Sequence, residues 1–276
     1  MTNPSAKVAL VTGASSGIGK AIAERLIEDG ITVIVAARSY DKMADLETRG
    51  AHRLHLDVTN EESIQNAVSE ILTTYGVVDV LVNNAGFGCY GAVEDVTLDD
   101  ARYQFEVNLF GLARLTQLLL PKMREKGAGK IINMSSMGGK VYAPLGAWYH
   151  ASKHALEGWS DCLRLEVSQF GINVVIIEPG VIKTEFDDVL SGPMLKRSGA
   201  GAYGKMTQIL AKATEENYAA GNASPPSVIA DVVSKAVKAS QPRTRYAAGK
   251  LAKPLIFIRT WLGDRFFDRI VMSMLK

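Results

Sequence analysis

The first apolar run of the chain, Val8-Ala9-Leu10-Val11, passes without a break into Thr12-Gly13-Ala14-Ser15-Ser16-Gly17-Ile18-Gly19, and helical periodicity follows at once. Five more short apolar runs occur, at 32–36, 53–56, 78–82, 130–134 and 173–177. Between them lie amphipathic stretches such as 19–29, 60–75, 98–124 and 151–170. Continuous rather than alternating apolar strands, separated by helices, indicate a parallel sheet covered on both faces. Right-handed crossovers then give an α/β fold with a doubly wound parallel sheet.

The alternation stops after Pro179-Gly180. Residues 184–227 contain Gly192, Pro193, Gly199, Gly201, Gly204, Gly221, Pro225 and Pro226 around one helical stretch, 205–220. A long glycine-punctuated insertion beyond a strand's carboxyl end predicts a lid over a site. The expectation is one Rossmann-like domain over 1–276: a cofactor-binding core at 5–183, a helical substrate lid at 184–227 and a C-terminal segment at 228–276.

Bulk properties exclude several classes. A net charge of +2 gives no reason to expect nucleic acid as a partner. Two cysteines, Cys89 and Cys162, are too few for a disulfide framework and point to a reducing, cytoplasmic setting. The first strand starts almost at once, which leaves no room for a signal peptide. No apolar run reaches the ~18 residues of a spanning helix.

The glycine turn is a candidate phosphate cradle. Glycines let backbone N–H groups approach an anion, and the helix N-terminus favours negative charge. The spacing is Gly13-x-x-x-Gly17-x-Gly19, with Ser15, Ser16 and Ile18 between. At the end of the second strand an acid would take the adenosine ribose and repel a 2′-phosphate. This chain has Ala37, then Arg38 and Ser39. Arg38 can pair bidentately with a phosphate, so NADP(H) is the expected cofactor. Asp57, followed by Val58, ends another strand and is placed to take an adenine amino group. Asn83-Asn84-Ala85-Gly86 follows the fourth strand as a small-residue turn beside the cofactor.

A second cluster carries chemistry. In Tyr149-His150-Ala151-Ser152-Lys153 a phenol and an ammonium four residues apart share a helix face. Lowering a phenol from about 10 to near 7 takes ~4 kcal/mol, and a neighbouring cation favours that direction. Ser136 lies thirteen residues before Tyr149, with Ser135 as a rival.

Together these residues resemble the short-chain dehydrogenase/reductase family. Thr12 to Gly19, Asp57, Asn83 to Gly86, Asn108, Ser136, Tyr149, Lys153 and Pro179-Gly180 fall in the family's order and spacing, over about 7–184. The resemblance implies that Tyr149 is the general acid/base and that Ser136 binds the substrate oxygen. It implies that Lys153 binds the nicotinamide ribose and depresses the Tyr149 pKa, and that Asn108 helps hold a proton-relaying water. It favours Ser136 over Ser135. It places Pro179, Gly180, Val181, Ile182 and Thr184 against the cofactor, with Thr184 on the carboxamide and pyrophosphate. Family members pair through long helices, here 98–124 and 151–170, into homo-dimers or homo-tetramers. A catalytically idle nucleotide-sensing or scaffold protein on the same fold is the alternative, and it would be expected to lose Tyr149, Lys153 or Ser136.

The expected pocket wall is apolar: Phe87, Tyr90, Met137, Val141, Tyr142, Leu145, Trp148, Val181 and Phe186. A small hydrophobic ketone, aldehyde or alcohol fits that wall, and the resemblance is to the branch holding 17-beta-hydroxysteroid and retinol dehydrogenases. From Lys235 to Lys276 there are ten Lys and Arg against two acids, Asp264 and Asp268. A basic, aromatic, amphipathic tail of this kind suits weak, peripheral contact with a membrane surface. His150 and His154 share a helix face, yet no third ligand stands out, so no metal is expected. Cys89 reads as a quiet buried thiol.

Overall fold

A computed structural model describes residues 7–184, 188–219 and 221–273. In the first half, β1 (Val8–Thr12), α1 (Gly17–Glu28), β2 (Thr32–Ala37), α2 (Ala44–Thr48), β3 (His52–His55), α3 (Glu61–Tyr75) and β4 (Val80–Asn83) alternate. They are followed by α4 (Leu98–Phe105), α5 (Gly111–Lys126), β5 (Gly129–Met134), α6 (Ala147–Val167) and β6 (Ile172–Pro179). The remainder holds α7 (Asp188–Ser198), α8 (Gly204–Ala219), α9 (Ser227–Lys238), β7 (Arg245–Ala248), α10 (Ala252–Leu262) and α11 (Asp264–Ser273).

The strands form one sheet in the order β3-β2-β1-β4-β5-β6-β7, every neighbour parallel. The doubly wound parallel sheet expected from the continuous apolar runs is therefore present. Successive strand residues point to opposite faces, which is why the runs are apolar throughout. Val11, Val33, Val82 and Ile177 pack with Ile22 and Leu26 of α1 and Ile229 and Val233 of α9. Leu10, Ile34, Leu81 and Val174 pack on the other face with Ile71 of α3, Leu115 and Leu119 of α5 and Leu163 of α6. Strand order reverses direction between β1 and β4, which opens a crevice at the carboxyl ends of the strands.

Three features differ from the sequence reading. The stretch 98–124 is not one helix: a single π-helical turn, Glu106–Phe110, separates α4 from α5. The segment after β6 holds two helices rather than one, because α7 runs through Gly192 and Pro193, which read as breakers. A seventh strand, β7, extends the sheet; its residues Arg-Tyr-Ala-Ala are half-buried and carry no apolar run to announce it. In addition, α6 begins at Ala147, which puts Tyr149 inside its first turn.

The helices after β6 build a third, smaller core. Leu190, Met194 and Ala211 of α7 and α8 pack with Ala92 and Leu145, and Tyr90, Tyr203 and Met206 close around them. The end of α7 is pinned by polar bonds. Arg197 donates to Asp100 at 3.2 Å and to the Tyr90 carbonyl at 3.2 Å, and Ser198 Oγ accepts from Ala92 N–H at 2.9 Å.

Candidate active site

The glycine turn leaves β1 with Gly13 at φ 65° and Gly17 at φ 55°, a left-handed region that favours glycine. A Cβ on Gly13 would stand 2.9 Å from the Ala85 Cα, and one on Gly19 would strike the Gly13 carbonyl. Asn84 locks the turn from the other side. Its Nδ2 donates to the Thr12 carbonyl at 2.9 Å, and Thr12 Oγ1 accepts from the Asn84 and Ala85 amides at 3.0 Å. No side chain caps the start of α1 at Ser16. A Cβ on Gly17 would meet Thr184 Cγ2 at 3.2 Å, so Thr184 borders the turn directly.

The other strand ends converge here. Arg38, exposed after β2, donates from Nη1 to the Tyr103 hydroxyl at 2.9 Å. Asp57 Oδ1 accepts from both the amide and the hydroxyl of Thr59, at 2.9 and 2.8 Å. The main chain after β6 is held by β7 and its neighbours. Gly180 N–H bonds the Ala248 carbonyl at 2.8 Å, Val181 N–H the Lys250 carbonyl at 2.9 Å, and Ile182 pairs with Ser224.

Ser136 follows β5 and caps a short 3-10 turn, Met137–Gly139, by accepting from the Gly138 amide at 3.0 Å. Its side chain is hydrogen-bonded to the Tyr149 phenol. Ser135 points elsewhere: its hydroxyl is buried, lacks a hydrogen-bond partner and lies beside Gly139. The structure thus pairs Tyr149 with Ser136 rather than with Ser135. His150, weighed above only as a metal ligand, braces the loop between them. One ring nitrogen bonds the Gly138 carbonyl at 3.0 Å and the other accepts from the Ala143 amide at 3.1 Å. Burial pushes the His150 pKa down, which keeps the ring neutral and able to accept.

Lys153 is buried one helical turn beyond Tyr149, and its Nζ donates to the Met134 carbonyl at 2.9 Å. Burial lowers its pKa to about 8, with Glu157 opposing the shift. Burial also raises the Tyr149 pKa, and the Ser136 bond offsets part of that rise. The Lys153 ammonium is directed at the Met134 carbonyl, and desolvation of the phenolate is the largest influence on Tyr149.

Asn108 occupies the π-helical turn, fully buried. It accepts from Phe87 N–H at 3.0 Å and donates to the Phe87 carbonyl at 2.9 Å and Ser152 Oγ at 3.1 Å. It therefore ties the 84–87 turn to α6. A Cβ on Gly86 would sit 3.1 Å from Asn108 Oδ1 and 3.6 Å from Lys153 Nζ, which places both groups around one glycine.

A buried ionic cluster behind Lys153 was not foreseen. Glu157 Oε2 accepts from Lys140 at 2.9 Å and Arg245 Nε at 3.0 Å. Arg245 also pairs with Asp161 at 2.5 Å and lies 3.6 Å from Glu178. Burial and the neighbouring Glu157 carboxylate push Glu178 up to about 7. The cluster needs β7 to supply Arg245, so only a signal for that strand could have revealed it.

Of the expected pocket wall, Tyr90 stacks on Tyr149 with ring centroids 5.5 Å apart, and Leu145 joins it in the third core. Tyr142 lies against the C-terminal helices, bonded to Asp268 at 2.8 Å. Phe87 packs on Tyr103 at 5.4 Å. Trp148 turns toward α4, where it packs on Phe105 and lines a hollow of about 350 Å³ with Leu98 and Phe110. Phe186 lies outside the described residues. A larger hollow, about 520 Å³, sits at the β3–α3 edge around Asp57, His55 and Glu62, and none of its lining belongs to the Tyr149 cluster. Burial pushes the Cys89 thiol up, in keeping with a quiet buried cysteine.

Residues 7–192 match the family model for short chain dehydrogenases. The chain belongs to the short-chain dehydrogenase family. It is similar to a 3-ketodihydrosphingosine reductase of Bacteroides thetaiotaomicron, with 36% identity over 95% of each chain. It is also similar to an NADPH-dependent 3-dehydrocapnine reductase of Ornithobacterium rhinotracheale, with 36% identity over 98% of each. Among solved structures, a short-chain dehydrogenase from Streptomyces avermitilis matches 99% of this chain and 96% of its own, with 35% identity and a TM-score of 0.78. This is an oxidoreductase family whose fold binds a nicotinamide cofactor. The cradle that a Cβ would fill at Gly13 and Gly17, with Thr184 across from it, fits such a group. Among the described residues no helix is long and apolar enough to cross a membrane, and no three His, Cys, Asp or Glu side chains gather as a metal site.

Proposed function

We propose that this protein is an NADP(H)-dependent reductase that interconverts a hydrophobic ketone or aldehyde and its alcohol. The observation that carries the reading is the Ser136–Tyr149 hydrogen bond at the crevice, with the buried Lys153 ammonium one turn behind. A bound nicotinamide cofactor supplies the hydride. The carbonyl oxygen takes hydrogen bonds from Ser136 and Tyr149, and Tyr149 gives up its proton as the alkoxide forms. A phenol whose pKa lies above its ordinary value is fully protonated at neutral pH, the state that reduction needs. Lys153, at about 8, lies near enough to neutrality to return a proton to the phenolate. Asn108 acts as a positioning residue, holding the Phe87 backbone and Ser152 around it.

In the cofactor assignment Gly13, Ser15, Ser16, Gly17, Ile18 and Gly19 hold the pyrophosphate, while Asp57 and Val58 flank the adenine. Asn84, Ala85 and Gly86 line the middle of the cofactor, with Pro179, Gly180, Val181, Ile182 and Thr184 beside the nicotinamide. Arg38 and Ser39 take the 2′-phosphate; the exposed guanidinium and the lack of an acid after β2 support that choice. The apolar side chains around Tyr149 support a hydrophobic substrate, as do relatives named for 3-ketodihydrosphingosine and 3-dehydrocapnine reduction. The α7–α8 helices serve as its lid. Exposed Leu98 at the start of α4, Phe110 in the π-helical turn and Leu165 on α6 support a homo-dimer or homo-tetramer. Two free cysteines support a reducing, cytoplasmic setting.

The test is NADPH oxidation against hydrophobic carbonyls, with NADH beside it and Arg38→Ala as the control. Turnover that prefers NADPH, and loses at least about tenfold of that preference in the variant, is expected. NADPH binding without turnover on any carbonyl would favour the idle sensor, and a preference for NADH would remove the Arg38 assignment.

A further inference from the structure

The helices α10 and α11 meet at Gly263 and form a hairpin against the loop that carries Ser136. Tyr142, on that loop, donates to Asp268, packs edge-on against Phe267 at 5.1 Å and lies under Arg259 at 5.2 Å. The inner face of the hairpin thus packs on the segment that follows Ser136, with Phe267 and Ala252 buried.

The outer face is rich in exposed aromatic side chains. Phe257, Trp261, Leu262 and Phe266 are exposed, Phe257 at 60% and Trp261 at 72%. Lys253, Phe257 and Trp261 recur every four residues and so form one stripe along α10. The charges are sorted as well. Both acids of the hairpin are engaged, Asp264 by Arg259 at 2.6 Å and Asp268 by Tyr142 at 2.8 Å. Lys253, Arg265 and Arg269 are exposed and have no ion pair among the described residues. The face presents aromatic rings and unneutralised cations together.

We propose that this outer face of the α10–α11 hairpin docks on an anionic lipid surface, with Phe257, Trp261 and Phe266 in the interface and Lys253, Arg265 and Arg269 among the headgroups. Aromatic side chains sit well at the boundary between headgroups and acyl chains, and each nearby cation adds attraction to anionic lipid. A second copy is disfavoured as the occupant, since a two-fold contact through this face would bring like cations together. Docking would set the Tyr142 side of the site toward the lipid, so that an apolar substrate enters from it. This entry route rests on the proposed hydrophobic substrate; the docking does not.

The test uses the full chain and two vesicle preparations, one of phosphatidylcholine alone and one with an equal part of phosphatidylglycerol. Co-sedimentation with the anionic vesicles, weakened by salt and slight with phosphatidylcholine alone, is expected. The bound fraction should fall about tenfold in Phe257→Ser/Trp261→Ser and in Arg265→Gln/Arg269→Gln. Turnover of a water-soluble carbonyl should be unchanged in both. Tryptophan emission should be quenched by brominated acyl chains, and that quenching should drop in Trp261→Phe. Absence of binding to both vesicles, or binding untouched by either double variant, would overturn the proposal. So would an oligomer that Phe257→Ser/Trp261→Ser dissociates while vesicles bind nothing, which assigns the face to a second copy. Vesicle binding with no turnover would sink the reductase reading and leave the dock standing.

Discussion

Around Gly13 and Gly19 the course of the chain is set by its backbone, whereas from α7 to α11 it is set by pairs of side chains distant in sequence. The glycine turn has positive φ at two positions and backbone contacts that no Cβ could share. Of its partners, Thr12 ends β1 and Asn84 directly follows the neighbouring β4. The later helices are fastened by Arg197 to Asp100, Arg245 to Glu157, and Tyr142 to Asp268, each spanning 84 residues or more. The first kind of construction tolerates no added atom. The second depends on burying and neutralising charge, and it answers to pH.

Glycine substitutions sharpen that contrast. Gly19→Ala should be the most damaging, since its Cβ meets the Gly13 carbonyl and Asn84 Nδ2, neither able to move without breaking the turn. A loss of about 3 kcal/mol in urea unfolding, with weakened dinucleotide binding, is the expected result. Gly192→Ala lies in α7, where a Cβ meets nothing within 4 Å. It should stabilise by about 0.5–1 kcal/mol through helix propensity, and a destabilised variant would mean that α7 is not the helix described.

The ionic cluster gives an effect of intermediate size. Glu178 is raised from 4.5 to about 7, so the fold prefers its protonated form. Its contribution is complete below pH 4.5 and is lost as pH rises through about 7, to the extent of about 3 kcal/mol. Glu178→Gln stays neutral and should not show that decline between pH 4.5 and 7. Parallel pH profiles of unfolding midpoint in the two proteins would show that the cluster does not hold the carboxyl as described.

This difference in construction also explains what could be read from the sequence. Six strands, the glycine turn and the Ser136, Tyr149 and Lys153 cluster leave local marks: apolar runs, glycine spacing and a fixed helical interval. The π-helical turn around Asn108 leaves none, because Glu106-Val107-Asn108-Leu109-Phe110 continues a helical pattern. β7 and Arg245 were missed because an edge strand of half-buried small and polar residues lacks an apolar signature. The helix through Gly192 and Pro193 has no local signature, because the packing of Leu190 and Met194 overrides two breakers. The bracing role of His150 is not legible because its two ring nitrogens serve main-chain groups that only the folded loop brings near.

The central claim is that Tyr149 gives the proton. The direct measurement is single-turnover NADPH oxidation by Tyr149→Phe beside the native enzyme, with NADPH affinity followed separately by fluorescence. The account predicts a rate lowered by about 10²–10⁴-fold with affinity nearly unchanged. A variant that binds NADPH as well and turns over at an undiminished rate would contradict it.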